Sequence, residues 1–197
     1  MENKCQLLFV CTANIYRSQL AQACCSWLFG LDQWSGWRDV PVATPLAIES
    51  AGIIADTSLY TPRSVCSALQ ARGIPWDARP ARRLRPSLMH GAAVVLAMEE
   101  NQAAEIRRSF PDKWRSVTTL GKFGAAARQT ELTAATLQGR MRQLLDMSMN
   151  MSDEAHRREL DVRDPSTGGE AAVRSCLREI ESHLAWVAQC VLFGNQK

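Results

Sequence analysis

Short runs of consecutive apolar residues alternate along this chain with stretches in which apolar positions recur every three or four residues. Cys5–Val10 (CQLLFV) is the first such run; it ends at a polar loop and predicts a strand buried on both faces. Ser18–Phe29 follows, with Leu20, Ala23, Cys24, Trp27 and Leu28 at helical spacing and Gly30 closing the helix. Leu46–Ser50 is a second short strand, and Pro62–Arg72 a helix that starts near a proline and stops at Gly73. Ala92–Ala97 (AAVVLA) is the clearest strand, Glu99–Ser109 a helix halted before Pro111, and Ser116–Leu120 the last strand. Val173, Cys176, Leu177, Ile180, Leu184, Val187 and Val191 mark a long amphipathic helix near the C-terminus. Strand–helix alternation of this kind predicts an α/β fold, a parallel sheet with helices on both faces.

Two stretches interrupt the pattern. Residues 31–45, with Trp34, Gly36, Trp37, Pro41 and Pro45, read as a loop. In 121–159, Leu132–Leu145 reads as helical, followed by Met147, Met149 and Met151, either a covering helix with a flexible loop or a partner surface. The 197 residues are expected to form one domain, long enough to bury its own core. The 22% charged fraction excludes wholesale disorder, and a net charge of +3 is too mild to argue for nucleic acid. Seven cysteines without a CxxC pair, no stretch of ~18 apolar residues and an apolar run almost at Met1 predict a reduced, cytosolic protein without disulfides, membrane span or metal.

The chemistry concentrates after the first strand, at Cys11-Thr12-Ala13-Asn14-Ile15-Tyr16-Arg17-Ser18. Five residues between a cysteine and an arginine can wrap one tetrahedral oxyanion, with successive backbone N–H groups turned inward and the positive end of the next helix behind them. Arg17 can close the ring with a two-pronged contact to phosphate oxygens, and the resulting field favours a thiolate at Cys11, placed for in-line attack on phosphorus. Ser18 can cap the helix and donate to that thiolate. Seven cysteines and 19 arginines make a chance Cys-x5-Arg pair common, so the position at the C-terminal end of the first strand carries the argument. A displaced ester oxygen also needs an acid that later serves as base; Asp164, before Pro165 in the loop VRDPSTGG, fits.

In this order the residues resemble the low-molecular-weight protein-tyrosine phosphatase family, with its Cys-x-Gly-Asn-x-Cys-Arg-Ser-Pro loop and an Asp-Pro before the last helix. Ser50-Ala51-Gly52, Ala71-Arg72-Gly73-Ile74, Ala81-Arg82-Arg83-Leu84 and Ala92–Glu99 resemble further family segments. The resemblance spans most of the chain outside 31–45 and 121–159, which read as insertions, the second helical and placed before the last helix. It implies a four-stranded doubly wound parallel sheet and a phosphocysteine mechanism without metal or cofactor. Cys11 would be the nucleophile, Arg17 the phosphate clamp, Thr12 to Arg17 the amide cradle, Ser18 the stabiliser of the thiolate, Asn14 the brace of the loop and Asp164 the acid and then the base. The implied partner is a phosphotyrosine protein, an autophosphorylated bacterial tyrosine kinase being one such if the source is bacterial.

The chain departs from the pattern at several positions. Ala13 replaces a glycine and is expected to strain the loop if that position requires positive φ. Tyr16 replaces the second loop cysteine, Gln19 the proline after Arg-Ser (a change expected to be harmless), and Arg79 a histidine that helps brace the loop in many members. Ser166 and Thr167 stand where tyrosine-directed members carry aromatics, and Tyr60 or Tyr16 is left to supply an aromatic wall. Ile15 is apolar and branched, as in tyrosine-directed members, where phosphoarginine phosphatases carry threonine. Two other functions fit the loop: thiol arsenate reduction, for which Cys66 or Cys176 would have to relay oxidation, and a catalytically weak phosphate- or phosphopeptide-binding module.

Overall fold

The computed structural model describes residues 5–30, 46–129, 131–151 and 160–193. The expected insertion at 31–45 lies outside these residues, as do 152–159 of the second. Four strands, β1 (Cys5–Cys11), β2 (Leu46–Gly52), β3 (Val94–Ala97) and β4 (Val117–Thr119), form a parallel sheet in the order β2-β1-β3-β4. The chain steps from β1 outward to β2, then returns past β1 to β3. This reversal opens a crevice between the C-terminal ends of β1 and β3, where open α/β sheets bind ligands.

Burial on both faces explains the unbroken apolar runs. Leu7 and Phe9 point into the larger core cluster with residues of α1 (Arg17–Leu28), α2 (Arg63–Gln70), α5 (Leu120–Gln129), α6 (Leu137–Met149) and α7 (Gly169–Ala188). Leu8 and Val10, one residue out of phase, point to the opposite face and pack with α3 (Pro86–Gly91) and α4 (Glu100–Ser109). All four are fully buried, each burial contributing roughly 1.5–3 kcal/mol before entropy. Met147 and Met149 of α6, and Met151 beyond it, are partly buried against the larger cluster, which supports the reading of a covering helix.

The sequence pattern missed two helices and misplaced a third. Residues 86–91 gave no signal because α3 is six residues long, α5 occupies the part of 121–159 ahead of the helix expected at Leu132–Leu145, and that helix itself runs over Leu137–Met149. The glycines that masked α5 permit close approach. A Cβ on Gly121 would lie 1.9 Å from the Leu160 carbonyl oxygen, and one on Gly124 would lie 2.8 Å from the His183 Cβ on α7. Glycine thus lets α5 lie against α7 and against the segment leading to Asp164.

Candidate active site

Cys11 ends β1, five residues follow, and Arg17 opens α1, so the thiol sits below a loop at the sheet's crevice. No side chain caps the first turn of α1 among the described residues, which leaves its N–H groups directed at the loop. Asn14 is the one described non-glycine residue with positive φ, +55°. Ala13 is not in the left-handed region, so the strain expected there does not arise; the bend falls on asparagine, which tolerates it. Gly52 makes room from the side: a Cβ there would lie 2.6 Å from the Ala13 carbonyl carbon and 2.7 Å from the Asn14 nitrogen.

The hydrogen bonds around Asn14 fix the orientation of its amide. Its Oδ1 accepts from the Arg82 backbone N–H at 2.8 Å, and its Nδ2 donates to Ser18 Oγ and Ser50 Oγ, both at 2.9 Å. Gln22 donates through Nε2 to the Ile48 carbonyl, so its Oε1 accepts the Ser50 hydroxyl at 2.7 Å. Ser18 Oγ, an acceptor from Asn14, lies 3.1 Å from Cys11 Sγ, and either atom can supply the proton of that contact. The Asn14 N–H is 3.3 Å from the same sulfur. The Asn14 N–H and the Ser18 hydroxyl thus both lie within hydrogen-bond reach of the sulfur. Gln102 ties the loop to β3 by donating to Thr12 Oγ1 and accepting from the Met98 N–H.

Arg17 joins the two sides of the site. Its guanidinium is 4% exposed, pairs with Glu99 and with Asp164 (Nη2 to Oδ2, 2.7 Å), and donates to the Val162 carbonyl at 3.2 Å. Burial pulls its pKa down, but the Glu99 hydrogen bond and the charges of Glu99, Asp164 and Cys11 outweigh that, leaving it raised and the cation secure. Asp164 is half-exposed and also accepts the Ser166 N–H at 2.9 Å. A pocket of about 230 Å³ is lined by Cys11, Thr12, Ala13, Ile15, Tyr16, Arg17, Asp164 and Ser166. Asn14 and Ser18 are buried behind it and support the loop without lining the pocket.

Tyr16, not Tyr60, gives this pocket its aromatic wall; Tyr60 is exposed and bridges to Pro80. Arg79 does not brace the loop at Asn14: its guanidinium stacks on Trp76 at 3.9 Å, and the backbone of Arg82 serves Asn14 instead. Glu99, Ser50, Gln22 and Gln19 escaped the sequence reading as site residues. Glu99 was findable, since it stands two residues after the strand across the crevice. The two glutamines gave no signal, being ordinary residues of a helix. Among the described residues no cluster of three or more His, Cys, Asp or Glu could hold a metal, and no helix is long and apolar enough to cross a membrane.

A doubly wound parallel sheet thus carries a cysteine, five loop residues and an arginine to its crevice, with a carboxylate on that arginine. The model of the low molecular weight phosphotyrosine protein phosphatase family matches residues 6–135, and the chain belongs to this family of cysteine-based phosphatases. That match runs through α5, so the first part of the stretch read as an insertion lies within the family's own span. YwlE arginine phosphatase from Geobacillus stearothermophilus shares the fold at 23% identity and a TM-score of 0.64, covering 93% of this chain and 90% of that one. The low molecular weight protein tyrosine phosphatase from T. tengcongensis does so at 19% and 0.65, covering 93% and 97%. The tyrosine phosphatase Wzb from Escherichia coli K30, solved with sulphate, does so at 16% and 0.63, covering 93% and 96%. No match is found among curated protein sequences.

Proposed function

We propose that this chain hydrolyses phosphotyrosine monoesters of proteins through a phosphocysteine intermediate. The observation that carries the reading is the convergence of Cys11, Arg17 and Asp164 on one pocket. The Cys11 thiolate attacks phosphorus; the S–P bond forms as the ester P–O bond breaks, and Asp164 delivers its proton to the departing phenolic oxygen. Asp164, now a carboxylate, takes a proton from water. The water oxygen bonds to phosphorus, the S–P bond breaks, and inorganic phosphate leaves with the thiolate restored. Arg17 and the loop amides hold the three equatorial oxygens throughout.

Ile15 and Tyr16 in the pocket lining support an aryl substrate over phosphoarginine, since both offer apolar surface to a ring. A phosphorylated protein is the natural partner, with an autophosphorylated bacterial tyrosine kinase as the specific case. Arsenate reduction is disfavoured by the other described thiols. Burial is the leading cause of a raised pKa at Cys24, Cys25, Cys66, Cys176 and Cys190, with Cys176 pushed up to about 12, so no second thiolate stands ready as a relay. A pure binding module has no use for Asp164.

Hydrolysis of p-nitrophenyl phosphate under reducing conditions tests the reading. Cys11→Ser is expected to abolish turnover, and Asp164→Ala to lower kcat about a hundredfold while phosphate still binds. A phosphotyrosine peptide should exceed a phosphoarginine peptide in kcat/KM; the reverse order would transfer the assignment to arginine. Wild-type protein that binds vanadate but turns nothing over would leave only the binding module.

A further inference from the structure

We propose that Gln19 is a positioning residue for the phosphate cradle, its side-chain amide setting the Asn14–Ile15 peptide so that the Ile15 N–H faces the pocket. The inference rests on the phosphatase reading above. Gln19 is 2% exposed, on the first turn of α1. Its Nε2 donates to the Asn14 carbonyl at 2.8 Å. Its Oε1 accepts from the Thr61 hydroxyl and, at 3.4 Å, from the Trp76 indole N–H. Thr61 Oγ1 in turn accepts the Arg79 backbone N–H at 3.0 Å.

These partners leave the amide one orientation. The Thr61 hydroxyl has the Arg79 carbonyl as a second acceptor at 3.1 Å, but the Trp76 N–H can only donate and the Asn14 carbonyl can only accept, so Oε1 faces Trp76 and the NH2 group is directed at Asn14. A trans peptide is planar, and its C=O and the following N–H point in opposite directions. Drawing the Asn14 carbonyl back toward α1 therefore turns the Ile15 N–H to the other side of the loop, where Ile15 lines the pocket. The restraint falls where it is most needed, because Asn14 carries the loop's left-handed bend. A buried carbonyl without a donor rotates toward any partner it can reach, and a proline at position 19 has no side-chain donor to offer. The residue expected to be harmless is thus this chain's own device for aiming one cradle amide.

Gln19→Met keeps the volume and removes both ends of the contact. Gln19→Glu keeps an acceptor for Thr61 and Trp76 and removes the donor. In both, the vanadate inhibition constant is expected to rise about tenfold, and kcat for p-nitrophenyl phosphate to fall by a similar factor with KM changed less than about threefold, because the lost contact is made chiefly to the transition state. Alkylation of Cys11 by iodoacetamide at pH 7 should stay within about twofold of wild type, since the Asn14 N–H and Ser18 still serve the sulfur. Thr61→Val, which loosens only the outer end, should weaken vanadate by about two- to threefold. Vanadate binding within twofold of wild type in Gln19→Met overturns the proposal while the phosphatase reading stands. Alkylation falling in parallel with vanadate binding also overturns it, because Gln19 would then hold the whole loop and not one peptide. A wild type that neither hydrolyses the ester nor binds vanadate overturns both.

Discussion

The nucleophile loop and the acid loop face each other across one pocket but are built in different ways. The first is seven consecutive residues in which Cys11, Asn14 and Arg17 are buried, with the Asn14 amide oriented from outside by the Arg82 N–H and by Ser50, whose own proton goes to Gln22. The second places a half-exposed Asp164 at the end of a segment held by a few backbone contacts. The Val162 N–H donates to the Met98 carbonyl at 2.8 Å, and Asp161 accepts the Glu100 N–H at the start of α4. Behind it stands the α5–α7 contact that Gly121 and Gly124 make possible. Arg17 joins the two halves. The binding residues are therefore contiguous in one strand–loop–helix unit braced by its immediate neighbours, whereas the position of the acid depends on how distant helices pack.

That contrast is broken most severely at Gly52. A Cβ there meets three backbone atoms of the loop, the Ala13 carbonyl carbon, the Asn14 nitrogen and the Thr12 oxygen, at 2.6–2.9 Å, and none of them can rotate away as a side chain would. Gly52→Ala should lower kcat/KM about a thousandfold, with a comparable loss of vanadate affinity, by displacing several cradle amides at once. Steady-state kinetics with vanadate inhibition reads both. A loss smaller than tenfold would mean that the cradle is not locked by its neighbour strand.

The acid side has its own weak point in His183. It is buried between α5 and α7, and its Nδ1 has no hydrogen-bond partner among the described residues. Burial, with the Arg128 charge adding to it, pushes its pKa down to about 4. The unfolded chain, with a histidine near 6.5, therefore takes up a proton that the fold refuses between pH 6.5 and pH 4. The stabilising contribution is complete above 6.5 and is lost as pH falls through that window, amounting to about 3 kcal/mol. Urea unfolding at pH 7 and pH 4 should show His183→Leu losing about 3 kcal/mol less than wild type over this interval. Equal losses in the two proteins would remove His183 as the cause.

The same contrast decides what could be read from sequence. Cys11, Arg17 and Ser18 were legible because their spacing is local and the strand before them is an unbroken apolar run. Asp164 was legible as an Asp-Pro before the last helix, yet nothing in its own neighbourhood shows that it reaches Arg17. Helix α5 was not legible, because Gly121 and Gly124 lower helix propensity and read as breaks, while the packing that makes them useful involves Leu160 and His183 far along the chain. Ser50, Gln22 and Gln19 were invisible as site residues for a related reason. Their roles depend on hydrogen-bond direction, which residue type and spacing do not encode. Ala13 misled in the opposite sense, since the loop shifts its left-handed bend to Asn14.

Gly121 supplies the sharpest separation of the two halves, with the smallest of these effects. A Cβ at this position would meet the Leu160 oxygen at 1.9 Å and its carbonyl carbon at 2.7 Å, so Gly121→Ala forces apart helix α5 and the backbone four residues before Asp164. None of the nucleophile loop's hydrogen bonds given above involves Gly121, and they are expected to persist. The expected result is a fall in kcat of about thirtyfold, less than for removal of the carboxyl itself, because a displaced acid still delivers some protons. Vanadate inhibition should remain within about twofold of wild type. In the double variant with Asp164→Ala the two losses should not add, since both remove the same proton transfer. If Gly121→Ala weakens vanadate as much as it slows turnover, the displacement has travelled through Arg17 into the cradle, and the two halves are mechanically one.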